Sequence, residues 1–334
     1  MKALTLTEIK SPLVLQERDD PQPGDQEVVV RINAAALNRR DYWITQGMYP
    51  GIECPVVLGS DGAGVVEQTG AALGNYWDQR EVILNPGFDW GDNPRVQSDA
   101  FKILGMPQDG TFATHVVVPA EALHLKPSHL SWEEAAALPL AGVTAYRAVF
   151  TQGGLQPGET IVINGIGGGV ATFALQFAVA AGADVWVTSS SEEKITRAVA
   201  MGAKGGFDYT SDDWGRALTS QAGAPDLIID SAGGSGYDTL LKIAAPGARI
   251  VNYGSTAGPP EKLDLFKVFW KQLTVQGSTM GSPADFAAML ELVDEHKIRP
   301  VVDEVAPLAQ GNAVVSQMKS SPQFGKYVLV VNET

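Results

Sequence analysis

A glycine-rich turn between an apolar run and a helical pattern constrains the fold of this chain more than any other feature. Residues 161–163 are a run of Ile and Val that is typical of a buried strand, and glycines follow at positions 165, 167, 168 and 169. From position 170 to 181, apolar residues recur with the three- and four-residue spacing of a helix. Glycine lets the backbone approach a pyrophosphate closely, and a helix N-terminus offers unpaired N–H groups to it. The pattern predicts a dinucleotide site; the alternative is a turn that serves the fold alone.

The chain continues after this helix as an alternation of strands and helices. Gly182 ends the helix, residues 184–188 predict a second strand, and residues 192–201 predict a second helix that Gly202 ends. Three further strands are predicted at residues 226–230, 249–254 and 273–277. Alternation of this kind is typical of a parallel sheet with helices on both faces.

The end of the second strand indicates which dinucleotide binds. Sites for NAD usually place an acidic residue there, which accepts a hydrogen bond from the ribose 2′-hydroxyl. This chain has Thr188, serines at 189, 190 and 191, and Lys194 just beyond. Hydroxyls and an ammonium suit a 2′-phosphate, so the sequence favours NADP(H) over NAD(H). Ser190 and Glu193 also have the spacing of a helix capping box, but capping does not explain the missing acid.

Composition limits the class of protein. The 334 residues are enough for two domains, and the segment up to about residue 130 has the short strand patterns and turn signals of a β-rich domain. No apolar run is long enough to cross a membrane, and the first residues lack a signal-peptide pattern. Cys54 is the single cysteine, and the formal charge of −14 disfavours nucleic acid and anionic membranes as partners. We therefore expect a cytoplasmic protein that acts on a small molecule.

Four motifs along the chain carry a resemblance to a known family. They are AAALNRRD at residues 34–41, GSDGAGV at 59–65, AAALPLAGVTA at 135–145 and GIGGGVA at 165–171. Together they resemble the medium-chain dehydrogenase/reductase superfamily, and within it the zinc-free quinone oxidoreductase-like branch.

The resemblance implies an α/β fold in two domains. A GroES-like, β-rich catalytic domain would comprise residues 1–127 and 276–334. A Rossmann domain with a doubly wound parallel sheet, at residues 128–275, would bind NADP. The resemblance also implies a homodimer.

The chain departs from the zinc alcohol dehydrogenases of this superfamily where they bind metal. Asn38 stands in place of their cysteine ligand, and Gly59-Ser60-Asp61 replaces their Gly-His-Glu motif. Residues 86–108, which replace their four-cysteine lobe, contain no cysteine. The four histidines, at positions 115, 124, 129 and 296, lack the spacing of zinc ligands. The expectation is an enzyme without a bound metal.

Hydride transfer without a metal requires an electron-poor acceptor or an acid that takes up the developing negative charge. Quinones and α,β-unsaturated carbonyl compounds meet this requirement through conjugation, so we expect an NADPH-dependent reductase of such compounds. Two alternatives stay open. One is an enoyl-thioester reductase, and the other is a non-catalytic protein that binds NADPH in a structural role.

The resemblance points to four candidates for contact with the substrate: Asn38, Asp41, Trp43 and Tyr49. Tyr49 aligns with the tyrosine that donates a proton in related enoyl-thioester reductases, and the alternative is an aromatic ring that packs a loop. Trp43 stands where quinone reductases of this branch often carry tyrosine. Asn38 and Asp41 are equally suited to bracing the loop and the nicotinamide ribose.

The resemblance also implies the cofactor contacts. The pyrophosphate would lie against Gly167, Gly168, Gly169 and Val170. The 2′-phosphate would face Ser189, Ser190, Lys194 and Tyr209. The nicotinamide and its ribose would lie near Thr144, Gly254, Ser255 and Ser278, although ordinary turn chemistry also accounts for residues of these types.

Overall fold

The structure, a computed structural model, describes residues 1–320 and 322–332. Its strands in chain order are β1 (Lys2–Leu6), β2 (Val14–Glu17), β3 (Glu27–Ala36), β4 (Val56–Val57), β5 (Asp61–Thr69), β6 (Glu81–Leu84), β7 (Gly87–Phe88), β8 (Lys102–Ile103), β9 (His115–Pro119), β10 (Leu123–Leu125), β11 (Thr160–Asn164), β12 (Asp184–Ser189), β13 (Gly205–Asp208), β14 (Leu227–Asp230), β15 (Arg249–Asn252), β16 (Thr274–Gly277), β17 (Val302–Pro307) and β18 (Lys326–Val330). Its α-helices are α1 (Arg39–Thr45), α2 (Trp132–Ala137), α3 (Pro139–Tyr146), α4 (Gly169–Ala180), α5 (Glu192–Ala200), α6 (Trp214–Ala222), α7 (Tyr237–Ile243), α8 (Leu265–Trp270), α9 (Pro283–Glu295) and α10 (Gly311–Gln317). Within this described part, none of the helices combines the length and apolar composition that a bilayer crossing requires.

The chain divides into two compact units. Unit 1 comprises Met1–Ala141 and Ser282–Thr334, and unit 2 comprises Gly142–Gly281. Both boundaries fall later than the expected ones at 127/128 and 275/276. The first differs because α2 buries its alanines against β3 and β5 of unit 1. The second differs because β16 belongs to the sheet of unit 2, and Ser278 continues from it with a hydrogen bond from its N–H to the Asn252 carbonyl.

Unit 1 is β-rich, as expected for a GroES-like domain. Its largest sheet has the order β10-β6-β5-β3-β18-β17, with β9 paired to one end of β3, and a smaller sheet has the order β2-β1-β4. β3 is rich in Val and Ala, and most of its residues are buried on both faces. One apolar core joins the two sheets, with Leu4, Ile32 and Phe112 among its fully buried members. The C-terminal strand β18 pairs with β17 in parallel on one side and with β3 antiparallel on the other.

Unit 2 is built on a six-stranded parallel sheet in the order β13-β12-β11-β14-β15-β16. This is the order of two mononucleotide-binding halves joined at β11 and β14, so the Rossmann prediction is confirmed. α4 packs against β11 and β12. α6 and α7 share an apolar core with Val162, Ile228 and Ile250 of the sheet. The registers align the carboxyl ends of neighbouring strands, pairing Asn164 with Asp230 and Asp230 with Asn252.

The helix caps decide one of the alternatives raised by the sequence. The expected capping box of Ser190 and Glu193 is wrong, because it requires Ser190 as the N-cap of α5 and the N-cap lies one residue later. Ser191 is the N-cap, and its hydroxyl accepts the Lys194 N–H at 3.3 Å. At α2, Ser131 and Glu134 do form a capping box. The short helices α6, α7 and α8 had no counterpart in the sequence-based predictions.

Candidate functional site

The glycine turn of unit 2 has two kinds of glycine. Gly165 and Gly167 have φ angles of +81° and +138°, values that side chains rarely adopt, so the backbone itself requires glycine there. Gly168, the N-cap of α4, has an ordinary extended conformation with φ −76° and ψ 160°. A Cβ added to Gly168 would meet nothing within 4 Å. The backbone of Gly168 therefore faces open space in which a ligand could approach it closely.

A chain of buried and partly buried side chains joins the carboxyl ends of four neighbouring strands. The Thr188 hydroxyl donates to Asn164 Oδ1 at 2.6 Å and accepts the Gly165 N–H at 3.0 Å. Asn164 Nδ2 donates to Asp230 at 2.7 Å, and Asn252 Nδ2 donates to the other Asp230 oxygen at 2.9 Å. The Tyr237 hydroxyl completes the chain with a 2.7 Å bond to Asn252 Oδ1. Burial raises the pKa of Tyr237 to about 12, and the negative charge of Asp230 adds to the effect.

This network was missed by sequence reasoning. A signal was present, because Asn164, Asp230 and Asn252 each end an apolar strand with a polar residue. The aligned ends of parallel strands bring such residues together. The network fixes the start of the glycine turn through the bond from Gly165 to Thr188.

The candidates for a 2′-phosphate contact lie at the end of β12 and beside it. The Tyr209 hydroxyl donates to Ser190 Oγ at 3.2 Å, and Ser189 Oγ accepts the Ser191 N–H at 3.1 Å. Lys194 lies in the first turn of α5. Ser190 and Tyr209 are exposed, and β12 ends without an acidic residue. These hydroxyls and the nearby lysine provide hydrogen bond donors suited to an anion.

The four candidates for contact with the nicotinamide and its ribose differ in their hydrogen bonding. Ser278 Oγ is buried and has no hydrogen bond partner among the described residues. The Thr144 hydroxyl approaches the sulfur of Met280 at 4.0 Å. Ser255 bonds within its own loop, donating to the Gly258 carbonyl at 2.8 Å, which matches the turn-chemistry alternative. Gly254 lies in the loop after β15, which ends at Asn252. The open Gly168 backbone and the unpartnered Ser278 hydroxyl fit the demands of a bound dinucleotide.

Unit 1 holds a buried ionic cluster around Asn38. Lys326 Nζ donates to Asn38 Oδ1 at 2.6 Å and to Asp61 Oδ2 at 2.8 Å. Asn38 Nδ2 donates to the same Asp61 oxygen at 2.9 Å, and the Leu140 N–H donates to the other at 2.8 Å. The side chains of Lys326 and Asp61 are 4% and 0% exposed, so water does not solvate this ion pair. Lys326 was not predicted from the sequence as a site residue, although it is a lone charge in an otherwise apolar strand.

Asp41 lies beside this cluster and is entirely buried. One of its oxygens accepts the Asn38 N–H at 2.7 Å, and Oδ1 has no partner among the described residues. Burial raises the pKa of Asp41 to about 6, because the positive charges of Arg40 and Lys326 only partly offset the loss of solvation. The structure thus brings Asn38 and Asp41 together at the N-terminus of α1.

The aromatic candidates are each covered by an arginine. The guanidinium carbon of Arg39 lies 5.1 Å from the ring centre of Trp43, and that of Arg40 lies 5.1 Å from the ring centre of Tyr49. Arg40 is held in turn by bonds from its NH1 to Ser60 Oγ and to the Leu104 carbonyl. Within residues 1–320 and 322–332, the Tyr49 hydroxyl has no hydrogen bond partner. That hydroxyl can therefore still donate to a ligand.

The residues at the position of the zinc ligands do not fit a metal ion. The oxygens of Asn38 and Asp61 already accept from the Lys326 ammonium, and Ser60 Oγ accepts from Arg40 and donates to the Leu104 carbonyl. A metal cation placed there would be repelled by Lys326 and Arg40. Among the residues the structure describes, no group of three His, Cys, Asp or Glu side chains could hold a metal.

Comparison with known proteins gives the family. The family model described as "Alcohol dehydrogenase GroES-like domain" matches residues 24–128, and the one described as "Zinc-binding dehydrogenase" matches residues 169–295. A "Zinc-type alcohol dehydrogenase-like protein" of Leptosphaeria maculans is 36% identical, over 96% of this chain and 95% of its own. A quinone oxidoreductase of Pseudomonas aeruginosa is 30% identical, over 96% of both chains.

A solved structure extends this similarity to the whole fold. The crystal structure of an NAD-dependent alcohol dehydrogenase superposes with a TM-score of 0.94 at 36% identity. It covers 99% of this chain and 100% of the other. With both units matched over nearly their full length, the chain is an oxidoreductase of the medium-chain dehydrogenase/reductase superfamily.

Proposed function

We propose that this protein is an NADPH-dependent, zinc-independent reductase of quinones or other α,β-unsaturated carbonyl compounds. The observation that carries the proposal is the Lys326 ammonium bonded to Asn38 and Asp61, where zinc-dependent relatives place metal ligands. Without a metal to polarise an alcohol oxygen, the reaction most open to this chain is reduction of a conjugated acceptor. The similar quinone oxidoreductase of Pseudomonas aeruginosa supports this class of substrate.

The preference for NADPH rests on the end of β12. An acidic residue at this point would repel a 2′-phosphate and bind the free ribose hydroxyl of NADH, and Ser189 stands there instead. Ser190, Tyr209 and Lys194 supply donors nearby. The similar alcohol dehydrogenase structure is of an NAD-dependent protein, so the comparison of the two cofactors is a necessary test.

The roles of the chain's own residues follow from their partners. NADPH, when bound, supplies the hydride. The backbone at Gly168 and α4 would hold its pyrophosphate, and the Thr188–Asn164–Asp230 network would keep the turn in shape. Asn38 and Tyr49 have hydrogens that can stabilise or protonate the enolate oxygen. Solvent is the alternative proton source.

We further propose that the protein is a homodimer formed through unit 2. None of the residues of α8 is buried, and Leu265, Phe266, Phe269 and Trp270 are each between 59% and 72% exposed. β16, which follows this helix closely in the chain, is the edge strand of the parallel sheet and is itself largely exposed. An open sheet edge next to exposed aromatic rings fits a second copy of the chain, because pairing would satisfy both.

The experiment that tests the activity is a turnover panel with NADPH and, separately, NADH. Quinones, enones, enoyl thioesters and simple alcohols would be compared, after the purified protein has been analysed for zinc. Turnover of quinones or enones with NADPH and without zinc is expected. Preference for thioesters would favour the enoyl-thioester alternative, and tight NADPH binding without turnover of any acceptor would favour a non-catalytic role. Zinc-dependent alcohol oxidation would refute the proposal.

A further inference from the structure

The Asn38 amide is held between a group that can only donate and one that only accepts. An amide has two ends of similar shape, and only its neighbours decide which is the oxygen and which the nitrogen. The Lys326 ammonium can only donate hydrogen bonds, so its neighbour must be the acceptor Asn38 Oδ1. The Asp61 carboxylate can only accept, so its neighbour must be the donor Asn38 Nδ2. Rotating the amide by half a turn would break both bonds.

The cluster also fixes where these groups lie. Asp61 accepts from Lys326, from Asn38 and from the Leu140 backbone, so it cannot follow a reoriented amide. The Asn38 backbone is anchored by the bond from its N–H to Asp41. Lys326 begins β18, and its N–H bonds the Val301 carbonyl. The charged head of Lys326 thus reaches Asn38 from a strand at the far end of the sequence.

One hydrogen of Asn38 remains after this accounting. The Nδ2 group carries two hydrogens, and Asp61 accepts one of them. Nothing else in the described part of the chain accepts from Nδ2. A fixed N–H donor costs little reorganisation when negative charge develops on an oxygen in front of it.

We infer that Lys326 is a positioning residue, which orients the Asn38 amide so that its second Nδ2 hydrogen is offered to the carbonyl oxygen of the substrate. This inference rests on the proposed reductase function. Hydride from NADPH adds to the acceptor and leaves NADP⁺. The electron pair of the acceptor's π system moves to its oxygen, where Asn38 donates, and one proton from Tyr49 or solvent completes the reduction. Lys326 itself transfers no proton in this step.

The test compares Lys326→Met with Lys126→Met. Lys126 is a matched control, because its side chain is likewise nearly buried, at 8% exposed against 4% for Lys326, is paired with Glu81 and lies in unit 1 outside the proposed site. Lys326→Met should lower kcat for an enone by at least about tenfold and leave the KM for NADPH within about twofold, since only the oxygen of the transition state loses its donor. Lys126→Met should leave kcat unchanged.

A double-mutant cycle shows whether Lys326 acts through Asn38. In an Asn38→Ala background, Lys326→Met should cause little further loss of kcat, because the amide that it positions is gone. Additive losses would overturn the inference. If Lys326→Met does not fold, Lys326→Gln replaces it, because glutamine keeps a donor but also allows the amide to rotate. Unchanged kcat in either folded variant would refute the inference. A wild-type protein that turns over no acceptor would instead refute the proposed function.

Discussion

The hydroxyl of Thr188 and the side-chain oxygen of Asn164 lie 2.6 Å apart, in a hydrogen bond between the ends of two neighbouring parallel strands. The same hydroxyl accepts the N–H of Gly165, so one side chain connects the sheet to the first residue of the glycine turn. Asn164 in turn donates a hydrogen bond to Asp230. The shape of the turn therefore depends on side chains that themselves need not touch a cofactor.

Replacing Thr188 by Val tests this dependence. The change keeps the shape of the side chain and removes the hydroxyl, which leaves the Gly165 N–H and the Asn164 oxygen without their partner. We expect a loss of about 1–3 kcal/mol in the free energy of unfolding and weaker NADPH binding. Denaturant titration and calorimetry measure the two effects. Thr219→Val is the control, because its hydroxyl bonds only to carbonyls within α6. Equal behaviour of the two variants would contradict a special role for Thr188.

Gly168→Ala tests whether a ligand approaches the turn. The backbone of Gly168 suits alanine, and the added methyl group meets nothing within 4 Å, so the midpoint of thermal unfolding should be unchanged. A pyrophosphate against this backbone would meet that methyl group, so NADPH should bind at least about tenfold more weakly, or by about 1.4 kcal/mol. Gly236→Ala, at an equally open position with ordinary backbone angles, is the control. Unchanged NADPH affinity in Gly168→Ala would place the pyrophosphate elsewhere.

Much of unit 2 could be predicted from sequence because each element there has a local signal. The apolar run of β11, the glycines and the period of α4 are all short-range patterns. The Lys326 cluster could not be predicted in the same way, because Asn38, Asp61 and Lys326 come from segments far apart in the chain. The pairings of β5 and of β18 with β3 bring them together. The later domain boundaries were missed for a similar reason, since α2 has an ordinary capping signal that does not say which sheet it packs on.

Lys194→Ala tests the preference between cofactors. A charge near the 2′-phosphate should help NADPH and have little effect on NADH, which lacks this group. We expect NADPH to bind about 10- to 100-fold more weakly, the range for loss of a charge-assisted hydrogen bond, with NADH nearly unaffected. Lys204→Ala, which removes an exposed ammonium paired with Asp184 in the same unit, controls for the change in net charge. Equal weakening of both cofactors would exclude a specific contact of Lys194 with the 2′-phosphate.

Asp41→Asn should change how stability depends on pH. Burial raises the pKa of Asp41 from 3.8 to about 6, so between these pH values the folded chain binds a proton that the unfolded chain does not. The cost of burying the ionised carboxyl is thus complete above pH 6 and is relieved as the pH falls toward 4. Asparagine removes this cost. The free energy of unfolding of the variant, minus that of wild type, should therefore be larger at pH 7.5 than at pH 4.5, by at most about 3 kcal/mol.

Denaturant titrations of both proteins at the two pH values measure this difference. The control is Asp294→Asn, where a hydrogen bond from Lys297 lowers the pKa of the carboxyl, so that the sign of the pH effect is reversed. An Asp41→Asn difference that does not vary with pH would mean that Asp41 ionises at the same pH in the folded and unfolded chains, so that burial does not raise its pKa.

Trp270→Glu tests the proposed dimer. Trp270 is 72% exposed and stacks on Phe266, with 5.8 Å between the ring centres and 10° between their planes. If a second copy covers this face, a carboxylate placed there would be buried without a partner, and the dimer should dissociate. Analytical ultracentrifugation should give a dimer for wild type and a monomer of about half that mass for the variant. Tyr76→Glu, which alters a 57% exposed aromatic residue in unit 1, should remain a dimer. A wild-type protein that sediments as a monomer would refute the proposal, and a Trp270→Glu variant that stays dimeric would move the interface away from α8.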